Sequence, residues 1–149
     1  EKGANLGVYR DVGYWMDIGT PEKYVQTHRD IFTGGCNLTE ADFAQDDVFV
    51  DPTATLADNV YLDGNVFVGR CAEVGSYSQL AETVVGDGAV VGRGSYLEDV
   101  IIWPGAHIPP YSVFQETILA ELDGQLIQFP YESLNIQMEG SRVSHEKRQ

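Results

Sequence analysis

The sequence predicts a mainly β protein: a parallel β-helix of about four coils, preceded by a strand, a turn and one helix. Three observations support this prediction. From Val50 to Leu80, an aliphatic residue recurs at every sixth position. Farther along, similar segments repeat every 17 residues and align at Val85, Ile102 and Leu119. Upstream of both repeats, Thr20-Pro21-Glu22 has the composition of a helix start.

The first element that the sequence predicts clearly is the helix, because both of its ends have capping residues. Thr20 suits the N-cap because its hydroxyl accepts from free N–H groups of the first turn, and Pro21 suits the first helical position. Thr33-Gly34-Gly35 predicts the end of the helix, since glycine adopts the left-handed conformation. A short strand is predicted earlier, at Leu6-Gly7-Val8-Tyr9. The spacing of the apolar and aromatic residues predicts one packed face, with His28 half-buried in it: Tyr24, Val25, His28, Ile31 and Phe32.

The six-residue repeat follows from position 50. A small or β-branched residue keeps step four positions after each aliphatic one, ending at Ser78 and Val84. Three hexads describe one triangular coil with three short strands, whose aliphatic side chains stack inside the prism. Each buried Val, Leu or Ile contributes about 1.5–3 kcal/mol, so a few coils form a core. The inward aliphatic positions are Val50, Leu56, Leu62, Val68, Val74 and Leu80.

The later coils are one residue shorter than three hexads. Their inward residues are predicted to be Val85, Val91 and Leu97 in one coil, and Ile102, Ile108 and Val113 in the next. An antiparallel sandwich is the competing fold, because Asp63-Gly64 and Asp87-Gly88 resemble hairpin turns. Hairpins require an alternation of two and no six-residue phase, which favours the β-helix. The predicted segments are 1–35 with the strand, turn and helix, a linker at 36–47, the β-helix at 48–119, and a capping segment with a polar tail at 120–149.

Composition restricts the partners. Nine basic and 23 acidic residues among 149 give a net charge of −14, which argues against nucleic acid and anionic membranes. No apolar run approaches the roughly 20 residues that span a bilayer, and no signal peptide is visible. Cys36 and Cys71 are isolated, as in a reduced, cytoplasmic protein. The first residue is Glu1 and not Met, which favours a piece of a longer protein.

Asp17 is the candidate catalytic residue. It lies in a tight turn three residues before the helix start, where a carboxylate could hold a cation, although an ordinary turn aspartate fits the residues equally well. The run GYWMDIGTPEKY resembles the end of the catalytic domain in sugar-phosphate nucleotidyltransferases, most of all the mannose-1-phosphate guanylyltransferase branch. That resemblance implies that Asp17 helps to hold the catalytic Mg²⁺. Tyr14 and Trp15 are candidates for the wall of the sugar pocket or for the core.

A second resemblance concerns the repeat. The pattern aliphatic-Gly-x-x-small-x is similar to the hexapeptide repeat of left-handed β-helices, which implies a left-handed coil, although general crossover rules favour the right hand. The nucleotidyltransferase resemblance implies that a sugar 1-phosphate attacks a nucleoside triphosphate and releases pyrophosphate. The family's glycine-rich phosphate loop does not precede Gly13, so we expect a C-terminal piece that is inactive alone. Its β-helix would serve assembly or regulation.

Two other functions remain open. An independent hexapeptide-repeat acyltransferase would use a histidine as general base, and His107 is the only histidine within the repeats. A purely structural oligomerisation module is the other possibility. Near the last coil, an exposed apolar patch is either a capping coil or a contact in a homo-oligomer. The candidate contact residues are Trp103, His107 and Tyr111.

Overall fold

The computed structural model describes residues 17–34 and 47–134. The predicted N-terminal strand, Tyr14, Trp15, Cys36 and most of the predicted linker and polar tail lie outside these residues. A 3₁₀ turn, Tyr131–Leu134, follows the last strand. The other elements are α1 (Pro21–Phe32), β1 (Val48–Val50), β2 (Thr55–Leu56), β3 (Tyr61–Asp63), β4 (Val66–Val68), β5 (Glu73–Val74), β6 (Gln79–Ala81), β7 (Val84–Val85), β8 (Val90–Val91), β9 (Tyr96–Ile102), β10 (His107–Ile108), β11 (Val113–Leu122) and β12 (Gln125–Pro130).

Helix α1 has the predicted ends. Thr20 is its N-cap, with an extended φ of −132° and a hydroxyl that accepts from the Lys23 N–H at 3.4 Å. Pro21 occupies the first helical position. At the other end, Gly34 has φ +73°, the left-handed conformation that stops a helix. The sequence prediction of this helix is therefore confirmed.

Parallel pairing between successive coils confirms the β-helix. Val48 pairs with Val66 one coil later, and Val85 pairs with Ile102 one coil later. The strands form the three faces of a prism, and β9 and β11 each bend around one corner. The left hand of the coil stays a prediction from the resemblance. The first face consists of β1, β4, β7 and the second halves of β9 and β11. The second face consists of β2, β5, β8 and β10. The third face consists of β3, β6 and the first halves of β9 and β11.

The core is the stack of inward side chains that the six-residue phase predicts. Leu80, Leu97 and Leu119 are buried at its centre. In the first coil, Val50, Leu56 and Leu62 are only partly buried, and they pack against the same cluster. The remaining aliphatic members of the buried cluster are Val66, Val68, Val74, Val85, Val91, Val100, Ile102 and Ile108.

The later coils are one residue shorter at one corner, and one of the predicted inward positions is wrong. The spacing between paired residues falls from 18 at Asp63–Ala81 to 17 at Phe67–Val84. Thr83 is fully buried, and Val84 faces out of the prism. Val113 is exposed, while Phe114 pairs with Leu97 and packs on the core. The prediction that Val113 points inward is therefore wrong, because the aromatic Phe114, six residues after Ile108, keeps the phase and takes the inward position.

A β-hairpin closes the last coil. Strand β12 runs antiparallel to β11 through a turn at Asp123 and Gly124, both with positive φ, as a type I′ turn requires. Asp63-Gly64 and Asp87-Gly88 are corners of the coil and not hairpins. The Glu121 carboxylate of the hairpin accepts from the His107 N–H at 2.8 Å. In the preceding coils the equivalent N–H bonds to the next coil, so Glu121 takes the place of that missing acceptor at the end of the β-helix.

The face that contains β7 carries a second apolar column, on its outer side. This column, the docking ladder, holds helix α1 against the β-helix. Val25 of α1 is buried on it, and Tyr131 covers it from the end of the hairpin. At roughly 1.5–3 kcal/mol for each fully buried side chain, the ladder is the main attachment of the helix. Its residues, one from each coil, are Phe49, Phe67, Val84, Ile101 and Ile118.

An ion pair supplements this apolar contact. The Arg29 guanidinium donates to the Asp99 carboxylate at 2.9 Å, and the two side chains are 30 % and 23 % exposed. Arg29 also lies 5.6 Å from the centre of the Tyr131 ring. Burial raises the pKa of Asp99, although Arg29 opposes the rise.

Within 17–34 and 47–134, no helix is long and apolar enough to span a membrane.

We predict that Arg29→Leu destabilises the fold by about 1–3 kcal/mol at neutral pH, because it leaves Asp99 partly buried without its donor. The pKa of Asp99 then rises further, so the folded chain binds that proton more tightly than the unfolded chain does. Stability is regained as the pH falls through the raised pKa. Urea unfolding at neutral pH and near pH ~4 measures both effects.

The matched control is Arg70→Leu, which breaks the exposed Arg70–Asp87 pair at 2.8 Å. It is expected to cost less than Arg29→Leu at neutral pH, because water replaces the lost partner. Equal losses in the two variants would contradict a special role for the Arg29–Asp99 pair.

Candidate functional site

Asp17 occupies the turn that leads into α1, as the sequence predicts. Its Oδ1 accepts from the Gly19 N–H at 3.1 Å, which closes a small side-chain turn just before the Thr20 cap. The side chain is exposed. Carboxylate oxygens are hard ligands, and Mg²⁺ is commonly held by one or two carboxylates together with phosphate and water. The exposed Asp17 carboxylate therefore fits one position in such a site.

Asp17 does not belong to a larger cluster of potential metal ligands in the described part of the chain. Within 17–34 and 47–134, no group of three or more His, Cys, Asp or Glu side chains is arranged to hold a metal ion. A Mg²⁺ site at Asp17 would therefore require further ligands from substrate phosphates, water or residues outside this range.

The Asp17 turn lies against the β-helix. The turn and α1 form one wall of an apolar groove of about 320 Å³, and the docking ladder and the hairpin form the other. Trp103 stands at this contact, with its ring edge-to-face to Tyr24 and the ring centres 6.4 Å apart. The turn is thus fixed by its own capping bonds, and α1, which follows it, contacts the β-helix through Tyr24 and Trp103. The residues that line the groove are Ile18, Gly19, Thr20, Pro21, Tyr24, Trp103, Ile118, Phe129 and Leu134.

A second cleft, of about 390 Å³, lies between the other end of α1 and the β-helix. It combines the Arg29–Asp99 pair with His28 and Glu82, and Asn65 donates to the Glu82 carboxylate at 3.0 Å. Burial lowers the pKa of His28, whose ring packs on Tyr24 as a half-buried histidine, in agreement with the prediction. The Arg29–Asp99 pair in this cleft helps to hold the docked helix, and its two opposite charges balance each other.

The three candidate contact residues do not form one patch. Trp103 packs beside α1, and the His107 Nδ1 lies 2.9 Å from a Glu121 carboxylate oxygen in the same chain. Tyr111 is exposed at a different corner, where its ring covers Gly94. Their joint role in an oligomer stays a prediction, and Tyr14 and Trp15 lie outside the described residues.

The sequence analysis missed the docking ladder and Asp99. A signal for the ladder is present in the sequence, because an apolar residue directly precedes each inward residue, and these apolar residues recur at the same 17-residue spacing. Phe67, Val84, Ile101 and Ile118 carry that signal. Asp99 shares the 17-residue spacing with Glu82 and Glu116, but that pattern does not predict its pairing with Arg29, which depends on the face that the helix covers.

Comparisons with known proteins agree with the motif. No protein-family model matches the chain. A mannose-1-phosphate guanylyltransferase of Mycobacterium tuberculosis is 32 % identical over 90 residues, which cover 60 % of this chain and 25 % of the relative. A glucose-1-phosphate adenylyltransferase of Frankia casuarinae is 26 % identical over 125 residues, covering 67 % of this chain and 30 % of the relative. The bifunctional protein GlmU of Bifidobacterium longum is 35 % identical over 82 residues, covering 52 % of this chain and 18 % of the relative.

Among solved structures, a perosamine N-acetyltransferase mutant from Caulobacter crescentus, in complex with CoA and GDP-perosamine, matches with 17 % identity and a TM-score of 0.20. That match covers 52 % of this chain and 55 % of the other, and at this score no argument rests on it. The chain spans no more than about a third of the curated relatives it matches. The chain is similar to part of the sugar-phosphate nucleotidyltransferases, and its own structure is a β-solenoid consistent with a hexapeptide-repeat β-helix.

Proposed function

We propose that the chain is the C-terminal portion of a sugar-1-phosphate nucleotidyltransferase, of the mannose-1-phosphate guanylyltransferase type. The observation that carries the proposal is the exposed Asp17 carboxylate, held in a capped turn against a β-helix. In the reaction, a phosphate oxygen of the sugar 1-phosphate attacks the α-phosphorus of the nucleoside triphosphate. A new P–O bond forms, the bond to the leaving phosphate breaks, and pyrophosphate departs.

Asp17 would act as a negatively charged ligand for Mg²⁺ at a fixed position. A bound Mg²⁺ supplies neutralisation of the charge that develops on the phosphates. The Asp17 side chain would contribute one oxygen ligand, while its bond from the Gly19 N–H fixes the orientation of the carboxylate. Preorganised groups of this kind need no rearrangement during the reaction, which is the source of their effect.

The β-helix would serve as a support for this turn. Helix α1 begins three residues after Asp17 and is held by the docking ladder and by the Arg29–Asp99 pair. Trp103 packs near the start of α1 through Tyr24. The proposed cytoplasmic enzyme therefore uses its β-helix to position a metal-binding residue, and its other faces remain available for homo-oligomeric assembly.

We predict that Asp17→Asn, in the whole protein that contains this chain, lowers kcat/KM for pyrophosphate release by about 10²–10³-fold, a loss typical of a removed electrostatic stabiliser. It should also weaken Mg²⁺ binding measured by calorimetry with nucleotide present. The matched control is Asp123→Asn at the hairpin turn, where asparagine tolerates the positive φ. Unchanged rate and Mg²⁺ affinity in Asp17→Asn would contradict the assignment, as would rapid turnover by the 149-residue chain alone.

Acyl transfer is the second candidate, and one observation favours it. His107 is exposed and pairs through Nδ1 with Glu121 at 2.9 Å, an arrangement that orients an imidazole for use as a general base. No comparable carboxylate–histidine pair occurs elsewhere in 17–34 and 47–134. An acyltransferase of this kind would need an acyl-CoA site beside β10.

Calorimetric titration of the chain with acetyl-CoA distinguishes the two functions. The nucleotidyltransferase proposal predicts no heat of binding beyond dilution, for the native chain and for His107→Gln alike. Binding that saturates and weakens in His107→Gln would favour the acyltransferase and count against the first proposal.

A further inference from the structure

Three Asp-Gly dipeptides occur in the sequence: Asp63-Gly64, Asp87-Gly88 and Asp123-Gly124. Each is a potential site of a covalent change, because an aspartate carboxyl can be attacked by the backbone nitrogen of the next residue. Glycine favours the attack, since it has no Cβ to obstruct it and leaves the backbone free to rotate. The function proposed above uses none of these dipeptides. The contacts of each one determine whether the native fold permits the reaction.

Only water takes part in this reaction besides the chain itself. The glycine nitrogen loses its proton and forms a bond to the aspartate Cγ, and the protonated carboxyl releases one oxygen as water. Water then opens the resulting five-membered succinimide. Opening at the main-chain carbonyl gives isoaspartate, whose main chain contains one additional carbon and whose free carboxyl is attached to Cα. The two reacting atoms must approach to about 3–3.5 Å in an aligned geometry, so hydrogen bonds that fix either group slow the reaction.

Hydrogen bonds fix Asp87-Gly88 on every side. The Asp87 carboxylate accepts from the Arg70 backbone N–H at 2.9 Å and from the Arg70 guanidinium at 3.0 and 2.8 Å. The Gly88 N–H donates to the Arg70 carbonyl at 2.7 Å, and the Asp87 carbonyl accepts from the Gly105 N–H at 2.9 Å. The hydrogen bonds from Arg70 also lower the pKa of Asp87, which disfavours the protonated carboxyl. The native fold therefore opposes ring closure at this site.

Asp123-Gly124 has none of these restraints. The dipeptide forms the exposed tip of the hairpin, between the paired residues Leu122 and Gln125. Among the described residues, no hydrogen bond holds the Asp123 carboxylate, the Asp123 carbonyl or the Gly124 N–H. The peptide unit at the tip can therefore rotate without breaking a bond of the β-helix.

Asp63-Gly64 is intermediate between the other two. The Asp63 carbonyl accepts from the Glu82 N–H at 3.2 Å, and Asp63 is paired with Ala81 of the next coil. The Glu82 side chain also lies over Gly64, where a Cβ would collide with its carboxylate. Rotation of this peptide unit would therefore disturb one contact between coils.

We propose that Asp123-Gly124 is a site of spontaneous isoaspartate formation, and that the native fold protects Asp87-Gly88 through Arg70. The modification lengthens a two-residue turn by one carbon, so the type I′ geometry that joins β11 to β12 is lost. Strand β12 contributes Phe129 and leads to Tyr131, and both of these side chains pack on the docking ladder. The cover of helix α1 thus loosens as the chain ages.

Site-specific rates test the proposal. The 149-residue chain is incubated at neutral pH, in buffer and in urea, and isoaspartate is measured in each of the three peptides by mass spectrometry with electron-transfer fragmentation. In buffer, Asp123 should react at least about tenfold faster than Asp87, since about 1.4 kcal/mol of barrier corresponds to tenfold and one hydrogen bond contributes a similar amount. Asp63 should fall between them. In urea the three rates should converge, because only the shared dipeptide remains.

Arg70→Leu separates the role of the native contacts from that of the neighbouring sequence. It removes two of the three hydrogen bonds to the Asp87 carboxylate. The Asp87 rate in buffer should rise, while the Asp123 rate and all rates in urea stay unchanged; circular dichroism establishes that the variant is folded. Asp123→Asn should react faster than the native chain, because its side-chain amide is uncharged at neutral pH and closes the same ring with loss of ammonia. As the control for Asp17→Asn, it is therefore used freshly prepared.

Amide hydrogen exchange tests the structural consequence. After prolonged incubation, β12 and α1 should be less protected than in the freshly prepared chain. Asp123→Gly is the matched control, because glycine keeps the positive φ of the turn but cannot form the ring, so its protection should not change. Equal rates at Asp123 and Asp87 in buffer, a ranking that persists in urea, an Asp87 rate that Arg70→Leu leaves unchanged, or full protection of α1 in the modified chain would overturn the proposal.

Discussion

Backbone pairing between one coil and the next determines the position of almost every side chain in the β-helix. Because residues 17 or 18 apart are directly stacked, a chemical property repeated at that spacing becomes a continuous column. Val85, Ile102 and Leu119 form an inward column of the core, and their neighbours Val84, Ile101 and Ile118 form the outward docking ladder. The corners obey the same rule, so acidic residues line one of them and tyrosines another.

The docking ladder connects this scaffold to the candidate chemistry. A 12-residue helix is marginal in water by itself, and α1 depends on the apolar column that covers Val25. The turn that holds Asp17 is attached to the first residue of that helix. A change that loosens the ladder is thus expected to move the carboxylate, which would let the β-helix affect the proposed metal site.

Local chemistry explains what the sequence predicted well. The ends of α1 follow from Thr20, Pro21 and Gly34, and the core follows from the six-residue phase, since both depend on residues close in the chain. Val113 was assigned to the wrong side because an aliphatic residue was preferred over Phe114, and pairing with Leu97 of the previous coil shows that the aromatic residue is the inward one.

The site itself was less accessible from sequence. Asp17 was identified through resemblance to a known motif; the structure places it in an exposed, capped turn, and its role as a metal ligand stays a proposal. The acidic repeat of Glu82, Asp99 and Glu116 did not single out Asp99, because its importance depends on the docking of Arg29 from a segment 70 residues away. Trp103 was expected on an outer contact, and in the structure its ring packs on Tyr24 at the start of α1.

Amide hydrogen exchange of α1 in the native chain and in Ile101→Ser tests the central claim most directly, with Leu122→Ser as the exposed control. If the docking ladder holds the helix, the α1 amides are protected in the native chain and in the control. In Ile101→Ser they should lose protection, while β4 and β8 retain theirs. Rapid exchange of α1 in the native chain, or unchanged protection in Ile101→Ser, would contradict the claim that the β-helix positions the Asp17 turn.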